Sequence, residues 1–429
     1  MLACLMLIAA AGASGAAEAQ TVDCSPSPSA APCVFAEKAV EGAAAVCRSN
    51  GGPEDACAAA PYGHQVRPTQ LAAYQGSWLQ RTARFQYALG NSVPFSDAQW
   101  LGTHNSFNAP ANGFTISHSD SNQQLTLRQQ LDADIRSLEL DLHYVGGQVR
   151  VCHARSASEL HAGCTTEPTL DQVLPEIATW LAANDDQVLL LYLEDAVGAG
   201  GYAPTTAALE AAFGSRIYRP AASAAGCTQL PLSLTRDAVR AAGKNVVIVG
   251  NCAAGWSGYV HGWNQVEDES GGSENYSCSA PINSYATKLV RFFEDSTFLA
   301  AAINPGESLA ARDAGHLTPA KVRAMVGCGV NLFGFDQFDP WDGRVAASVW
   351  SWAQDEPKRA NGDCSVMAAD GRWYAAACGV TRPVACRVDG VLTLRPDAAA
   401  CEGTLDLPRT GEENARLRAA AAGAAVALN

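Results

Sequence analysis

The feature that most restricts the fold of this chain is a recurring unit, an amphipathic helix followed by a short and almost wholly apolar strand. LTLRQQLDADI leads into RSLELDLHYV, TLDQVLPEIATWLAAN into QVLLLYLED, LTRDAVRAAG into NVVIVGN, and TPAKVRAMVGCG into VNLFGFDQF. QWLGTHNSF reads as the strand ahead of the first helix, and QVRVCHA as a strand paired to RSLELDLHYV through the Gly146-Gly147 turn. Thr169 and Thr318 stand where helix N-caps are expected, the latter followed by Pro319 at the first helical position. A strand with no polar face must be covered on both sides, which implies a parallel sheet with helices around it, an α/β fold. Polar residues collect at the C-terminal ends of these strands: His104 and Asn105, Asp141, His153, Glu194, Asn251 and Asp336. Their spread over many strands predicts an irregular TIM-type (β/α) barrel rather than one crevice in an open sheet.

Composition narrows the setting. The 429 residues carry a net charge of −14, which argues against nucleic acid as a partner, since that would need a basic face. The opening MLACLMLIAAAGASGAAEAQ is apolar, then small, with an Ala17-Glu18-Ala19 step suited to signal peptidase, so residues 1–19 are expected to be a signal peptide. Its removal takes Cys4 from the 15 cysteines and leaves 14, an even number that suits disulfides in a secreted or periplasmic protein. The expected organisation is a disulfide-containing N-terminal segment over 20–77, the barrel over 78–345, a small disulfide-rich β module over 346–405 and a helical tail over 406–429.

The chemistry concentrates at strand ends. Glu139 and Asp141 lie two apart on one strand and therefore share a face. Two carboxylates inside a barrel are costly without a compensating cation. With Asn105 and Glu194 they make an oxygen-only set, which suits a hard ion such as Ca²⁺ or Mg²⁺. His104 and His153 flank that set and can serve as general base and general acid.

Taken in order, GTHNS, IRSLELDLH, VCHA and LLLYLED resemble the X-region of the phosphatidylinositol-specific phospholipase C superfamily, over roughly residues 95–345. The resemblance implies that His104 and His153 are the catalytic pair and that Asn105, Glu139, Asp141 and Glu194 hold the metal. Metal-independent bacterial members carry Arg where this chain has Asp141, so the chain resembles the calcium-dependent type, Ca²⁺ before Mg²⁺. The implied reaction is phosphoryl transfer on a phospholipid or other phosphodiester at a transiently contacted membrane surface. A neighbouring substrate hydroxyl attacks phosphorus, Glu139 or an imidazole acts as base, and His153 protonates the leaving alkoxide. Asp336 is placed to orient His104 by accepting a ring N–H, or else to cap a helix. Gly250 and Asn251 stand where eukaryotic relatives supply a substrate-contacting Lys, which leaves the headgroup open. Glycerophosphodiesterases and spider-type phospholipases D share the His…Glu-x-Asp…His layout, and a glycerophosphodiesterase or sphingomyelinase-like hydrolase is the alternative reading. Asn105 and Glu194 favour the phospholipase C type.

Three further stretches carry expectations. Trp256, Tyr259 and Trp263 lie in a Gly-rich loop that can either dip into a lipid interface or pack on the barrel and line its pocket. Trp352, Glu356-Pro357, Gly362-Asp363-Cys364, Gly371-Arg372-Trp373, Cys378 and Ala385-Cys386 resemble the second half of a C-type lectin-like domain. That resemblance implies a Cys364–Cys378 disulfide, but Lys358, Tyr374 and Ala375 replace residues that bind calcium and carbohydrate in sugar-binding members. A disulfide-tied cap on the barrel is thus preferred to a non-catalytic, lectin-like adhesion protein. Cys152, next to His153, is a candidate to pair with Cys164. The LPRTG at 407–411 matches a sortase motif, but a helix beginning near it is the simpler reading.

Overall fold

The structure, a computed structural model, describes residues 68–109, 122–152, 164, 167–221, 228–251, 253–256, 258–262, 266–270, 289–294 and 317–428. The expected signal peptide at 1–19 and the segment 20–67 lie outside them, as do His153 and Trp263.

The larger sheet is built from β1 (Trp100–Thr103), β2 (Ser137–Val145), β3 (Gln148–Val151), β4 (Leu189–Ala196), β5 (Val246–Gly250), β6 (His261–Gly262), β7 (Val266–Ser270), β8 (Leu289–Phe293) and β9 (Leu332–Phe335). Its order is β6-β5-β4-β2-β1-β9-β8-β7, all parallel, with β3 added antiparallel to β2. The sheet is strongly curled. β4 and β8 are four places apart in this order, about 19 Å at the usual strand spacing, yet the Arg291 guanidinium on β8 lies 5.2 Å from the Tyr192 ring on β4. Only closure toward a barrel brings those side chains together, so the fold is the irregular TIM-type barrel that the helix–strand alternation predicts.

The local reasons are those the sequence offers. In β4, Leu189, Leu190, Leu191 and Leu193 are all fully buried, as a strand covered on both faces requires. The helix Leu170–Ala183 opens with a capping box between Thr169 and Gln172, and turns Leu170, Leu174, Ile177 and Leu181 inward. Thr318 caps the helix Pro319–Gly327 by accepting from the Lys321 N–H at 3.3 Å. The β2–β3 hairpin turns on Gly146 and Gly147, whose φ values of 62° and 80° fit the two-residue turn. Crowding explains Gly102 on β1, where a Cβ would come within 2.7 Å of the Phe333 carbonyl oxygen and 2.9 Å of the Ser137 Cβ.

At the end of the 20–77 segment, the helix Pro68–Tyr74 buries Tyr74 completely and its hydroxyl donates to Asp134 on the barrel at 3.3 Å. The helical tail expected over 406–429 contains the helix Gly411–Ala421 and also a short strand. The C-terminal module is a second sheet of β10 (Cys364–Met367), β11 (Trp373–Ala376), β12 (Val384–Val388), β13 (Val391–Arg395), β14 (Thr404–Leu405) and β15 (Val426–Ala427). Its order, β11-β10-β15-β12-β13, places β15 in the interior, between β10 and β12. A two-residue strand contributes too little pattern to be read from sequence, and its partners lie far back in the chain. Between them, the helix Gly411–Ala421 is capped by Thr410, which sits in the LPRTG stretch and is buried. The module belongs to the same core as the barrel: Phe85, on the helix Trp78–Leu89, packs 6.0 Å from Trp352 and 5.9 Å from Trp373. Val426 is fully buried. We expect Val426→Asp to lower unfolding free energy by at least about 3 kcal/mol in denaturant melts, because it buries an unpaired charge in the sheet interior.

Candidate active site

The C-terminal mouth of the barrel is assembled by strand register. β1 and β9 pair Thr103 with Phe335, so the next residues, His104 and Asp336, emerge side by side. Each chain turns away one residue later through a left-handed position, Asn105 at φ 44° and Gln337 at φ 45°. On the other side of β1, β2 and β4 pair Asp141 with Glu194 directly. The Ser106 hydroxyl accepts from the Glu139 N–H at 2.8 Å and donates to the Thr103 carbonyl at 3.0 Å, tying the β1 turn to β2.

His104 is 8% exposed, and its Nδ1 lies 3.1 Å from Asp336 Oδ1. Burial opposes the charged imidazolium, but the carboxylates of Asp336 and Glu139 outweigh it and raise the pKa to about 9. The stability this pair contributes is therefore complete below the ordinary histidine value near 6.5 and is lost as pH rises through about 9. In cation-free protein, we expect the stability gap between wild type and His104→Gln to narrow between about pH 6 and about pH 9.5 in urea melts. Asp336 is itself anchored. Asn122 Nδ2 lies 3.2 Å from both of its carboxylate oxygens, and its backbone N–H donates to Glu294 Oε2 at 2.6 Å. Glu294 is in turn ion-paired to Arg344 and accepts from the Leu317 N–H at 2.8 Å.

Glu139, Asp141 and Glu194 present carboxylate oxygens within 4.8 Å of one another, the first two buried and Glu194 exposed at the entrance. Asp141 is pushed well above the usual carboxylate range, first by burial and then by the charges of Glu194 and Glu139. One terminal atom of the Asn105 amide lies 3.0 and 2.9 Å from the two Asp141 oxygens. As nitrogen it would donate to them; as oxygen it would add a fourth ligand to the carboxylates. The set is all oxygen, clustered, like-charged and open on one side, and it fits a hard divalent cation.

Two contributors were not legible as site residues. Asn122 joins the halves of the site, because besides holding Asp336 it accepts from Asn108 Nδ2 at 2.7 Å and lies 3.2 Å from the second terminal atom of the Asn105 amide. It stands in a polar loop sequence with no distinguishing pattern. Arg291, on β8, is 5% exposed and ion-paired to Glu139. Its signal was present: a cation inside the apolar run LVRFF needs a buried partner.

His153 lies outside the described residues. Cys152, just before it, is held by its N–H to the Asp141 carbonyl at 3.1 Å and by a disulfide to Cys164. Of the two readings of the Gly-rich loop, packing on the barrel describes Trp256 and Tyr259: the Trp256 ring is fully buried, its Nε1 donates to Asp195 at 2.9 Å, and it packs 4.8 Å from Tyr202. Tyr259 is half-buried beneath the Arg219 guanidinium at 4.3 Å. In the C-terminal module, Cys364 and Cys378 are bonded, as are Cys386 and Cys401. The Glu356 carboxylate accepts from the backbone N–H groups of Lys358 and Ala375 at 2.7 and 3.1 Å, so it is committed to the fold.

A family model described as the Rv2075c PI-PLC-like domain matches residues 59–342. The Mycobacterium tuberculosis protein Rv2075c is 45% identical over 465 aligned residues, covering 98% of this chain and 95% of its own. The PI-PLC X domain-containing protein At5g67130 of Arabidopsis thaliana is 29% identical over 114 residues, a quarter (25%) of each chain. Among solved structures, phosphatidylinositol-specific phospholipase C from Listeria monocytogenes aligns with 14% identity and a TM-score of 0.43, over 62% of this chain and 97% of that one. The chain thus belongs to the Rv2075c PI-PLC-like family.

Proposed function

We propose that this protein is an exported phosphodiesterase of the phospholipase C type, which cleaves a phospholipid headgroup with two histidines and a divalent cation, Ca²⁺ in preference to Mg²⁺. The observation that carries the reading is the juxtaposition, at one barrel mouth, of the His104–Asp336 pair and the Asn105, Glu139, Asp141 and Glu194 oxygen set. The family's PI-PLC-like domain supports a phosphodiesterase-type hydrolase. The disulfides Cys152–Cys164, Cys364–Cys378 and Cys386–Cys401 support an oxidising compartment outside the cytosol.

The chain's residues divide the work as follows. Asp336 accepts the Nδ1 proton of His104 and so orients the ring, with Nε2 3.3 Å from the Asn105 amide beside the oxygen set, to donate to a nonbridging phosphoryl oxygen of the substrate. Asn105, Asp141, Glu194 and Glu139 would hold the cation, which when bound supplies electrostatic stabilisation of the charge developing on phosphorus oxygens. His153 protonates the leaving alkoxide. With His104 donating to the phosphoryl oxygen and His153 to the leaving alkoxide, the proton of the attacking hydroxyl goes to the Glu139 carboxylate, which Arg291 and the Asn105 N–H hold through Oε2. Attack by a neighbouring headgroup hydroxyl forms the new P–O bond as the diacylglycerol oxygen leaves with a proton, and the product is a cyclic phosphodiester. The C-terminal module serves as a cap on the barrel, and its Glu356 is buried with Oε2 accepting two backbone N–H groups of the module.

The test is a substrate panel of phosphatidylinositol, sphingomyelin and glycerophosphoinositol with Ca²⁺ present. Diacylglycerol with a water-soluble phosphorylated headgroup is the expected outcome. Phosphatidic acid as product, turnover of the soluble diester alone, or no turnover would contradict the reading.

A further inference from the structure

Arg291 stands at the acid cluster with a charge opposite to its neighbours, and the chemistry above gives it no step. The residue is 5% exposed, and its guanidinium donates from Nη2 to Glu139 Oε2 and packs against the Tyr192 ring at 5.2 Å and the Phe293 ring at 4.9 Å. The space for it is kept by Gly334 on the neighbouring strand, where a Cβ would meet Phe293 Cβ at 2.9 Å and Arg291 Nη2 at 3.4 Å. Glu139 Oε2 also accepts from the Asn105 N–H at 3.3 Å, so the oxygen that Arg291 holds is doubly engaged. Three carboxylates within 4.8 Å therefore already contain one fixed positive charge, supplied from the far side of the barrel.

We propose that Arg291 competes with the divalent cation for Glu139. It acts as a built-in counter-ion that balances the buried carboxylates while the cation is absent, and it limits how tightly the cation is held. The inference rests on the cation site proposed above. Its physical basis is that a fixed charge a few ångströms from a divalent ion, screened by protein rather than water, repels that ion strongly. Arg291 also engages an oxygen that the ion would otherwise take. If Arg291 instead only held Glu139 in a ligating position, its loss would weaken binding, so the two roles have opposite signs.

The experiment is calorimetric titration of CaCl₂, with the CaCl₂-induced shift in melting temperature as a second readout, on wild type, Arg291→Lys, Arg291→Gln and the double variant Glu139→Gln/Arg291→Gln. Arg291→Gln is expected to bind Ca²⁺ about tenfold tighter than wild type and to show the larger thermal shift, while Arg291→Lys, which keeps the charge, stays near wild type. In the double variant the lost ligand charge and the lost competitor offset each other, so its affinity is expected within about threefold of wild type. The double variant removes both partners of the buried ion pair together and carries the test if Arg291→Gln does not fold. Equal or weaker binding by folded Arg291→Gln, or a fall beyond about 30-fold in the double variant, would overturn the proposal. Absence of Ca²⁺ binding by wild type would overturn the cation site itself and this inference with it.

Discussion

Replacing His104 by alanine is expected to lower kcat/KM for phosphatidylinositol about 10³- to 10⁴-fold, with the far-ultraviolet circular dichroism spectrum unchanged. The size follows from what the imidazole is positioned to do. Its ring is held at one nitrogen by Asp336 and backed by Phe293 with 5.0 Å between centroids, and the other nitrogen lies 3.3 Å from the Asn105 amide, beside the oxygen set where the phosphoryl charge would develop. The fold survives because Asp336 keeps its contacts with Asn122 Nδ2 and its backbone N–H bond to Glu294. Asp336→Asn retains a side chain that can still meet the ring and should cost less, about 10- to 100-fold. Activity in His104→Ala within tenfold of wild type would remove the imidazole from the mechanism.

Asp141→Asn is expected to move activity and stability in opposite directions. Asp141 sits between Glu139 on its own strand and Glu194 at the paired position of β4, and it contacts the Asn105 amide. Converting it to an amide should weaken Ca²⁺ binding about 100-fold and depress turnover in proportion. In chelated protein the same change should raise the melting temperature. Burial and two neighbouring carboxylates push Asp141 upward, so ionising it in the folded chain opposes folding. Trading away this repulsion for stability is the behaviour of a site held in readiness for a cation rather than of a structural ion cluster. An unchanged or lower melting temperature in the chelated variant would contradict it. The observables are thermal melts with and without chelator, beside calorimetric titration of Ca²⁺.

Much of this arrangement is legible in the amino-acid sequence, because the chemistry rides on strand ends. Alternation of helices with apolar strands implies a parallel sheet, and parallel strands present their C-terminal ends on one side. His104, Asn105, Asp141, Glu194 and Asp336 therefore fall together once the sheet curls. What sequence could not supply is who meets across the curl. Glu139 and Arg291 are separated by three steps in the strand order and by more than half the barrel sequence, and only closure brings them into an ion pair. Asn122 was hidden for a different reason: a polar residue in a polar loop has the pattern of solvent exposure, yet here it is fully buried between two halves of the site. Trp256 shows the converse. An aromatic beside glycines suggests a surface loop, but Asp195 offers its indole N–H a partner inside, and burial follows. The end of the chain failed on length, since β15 is too short to show a period of two and is defined by its neighbours alone.

The central claim is that the His104–Asp336 pair and the oxygen cluster act together on one phosphodiester. Phosphorus NMR of phosphatidylinositol vesicles mixed with wild-type protein tests it most directly, with CaCl₂ and then with excess chelator. We expect the phosphodiester resonance of the lipid to be replaced first by that of a cyclic inositol phosphate, and this conversion to stop when the chelator is added. Conversion that continues unchanged in chelator, or a lipid signal that never diminishes with CaCl₂ present, would contradict the account.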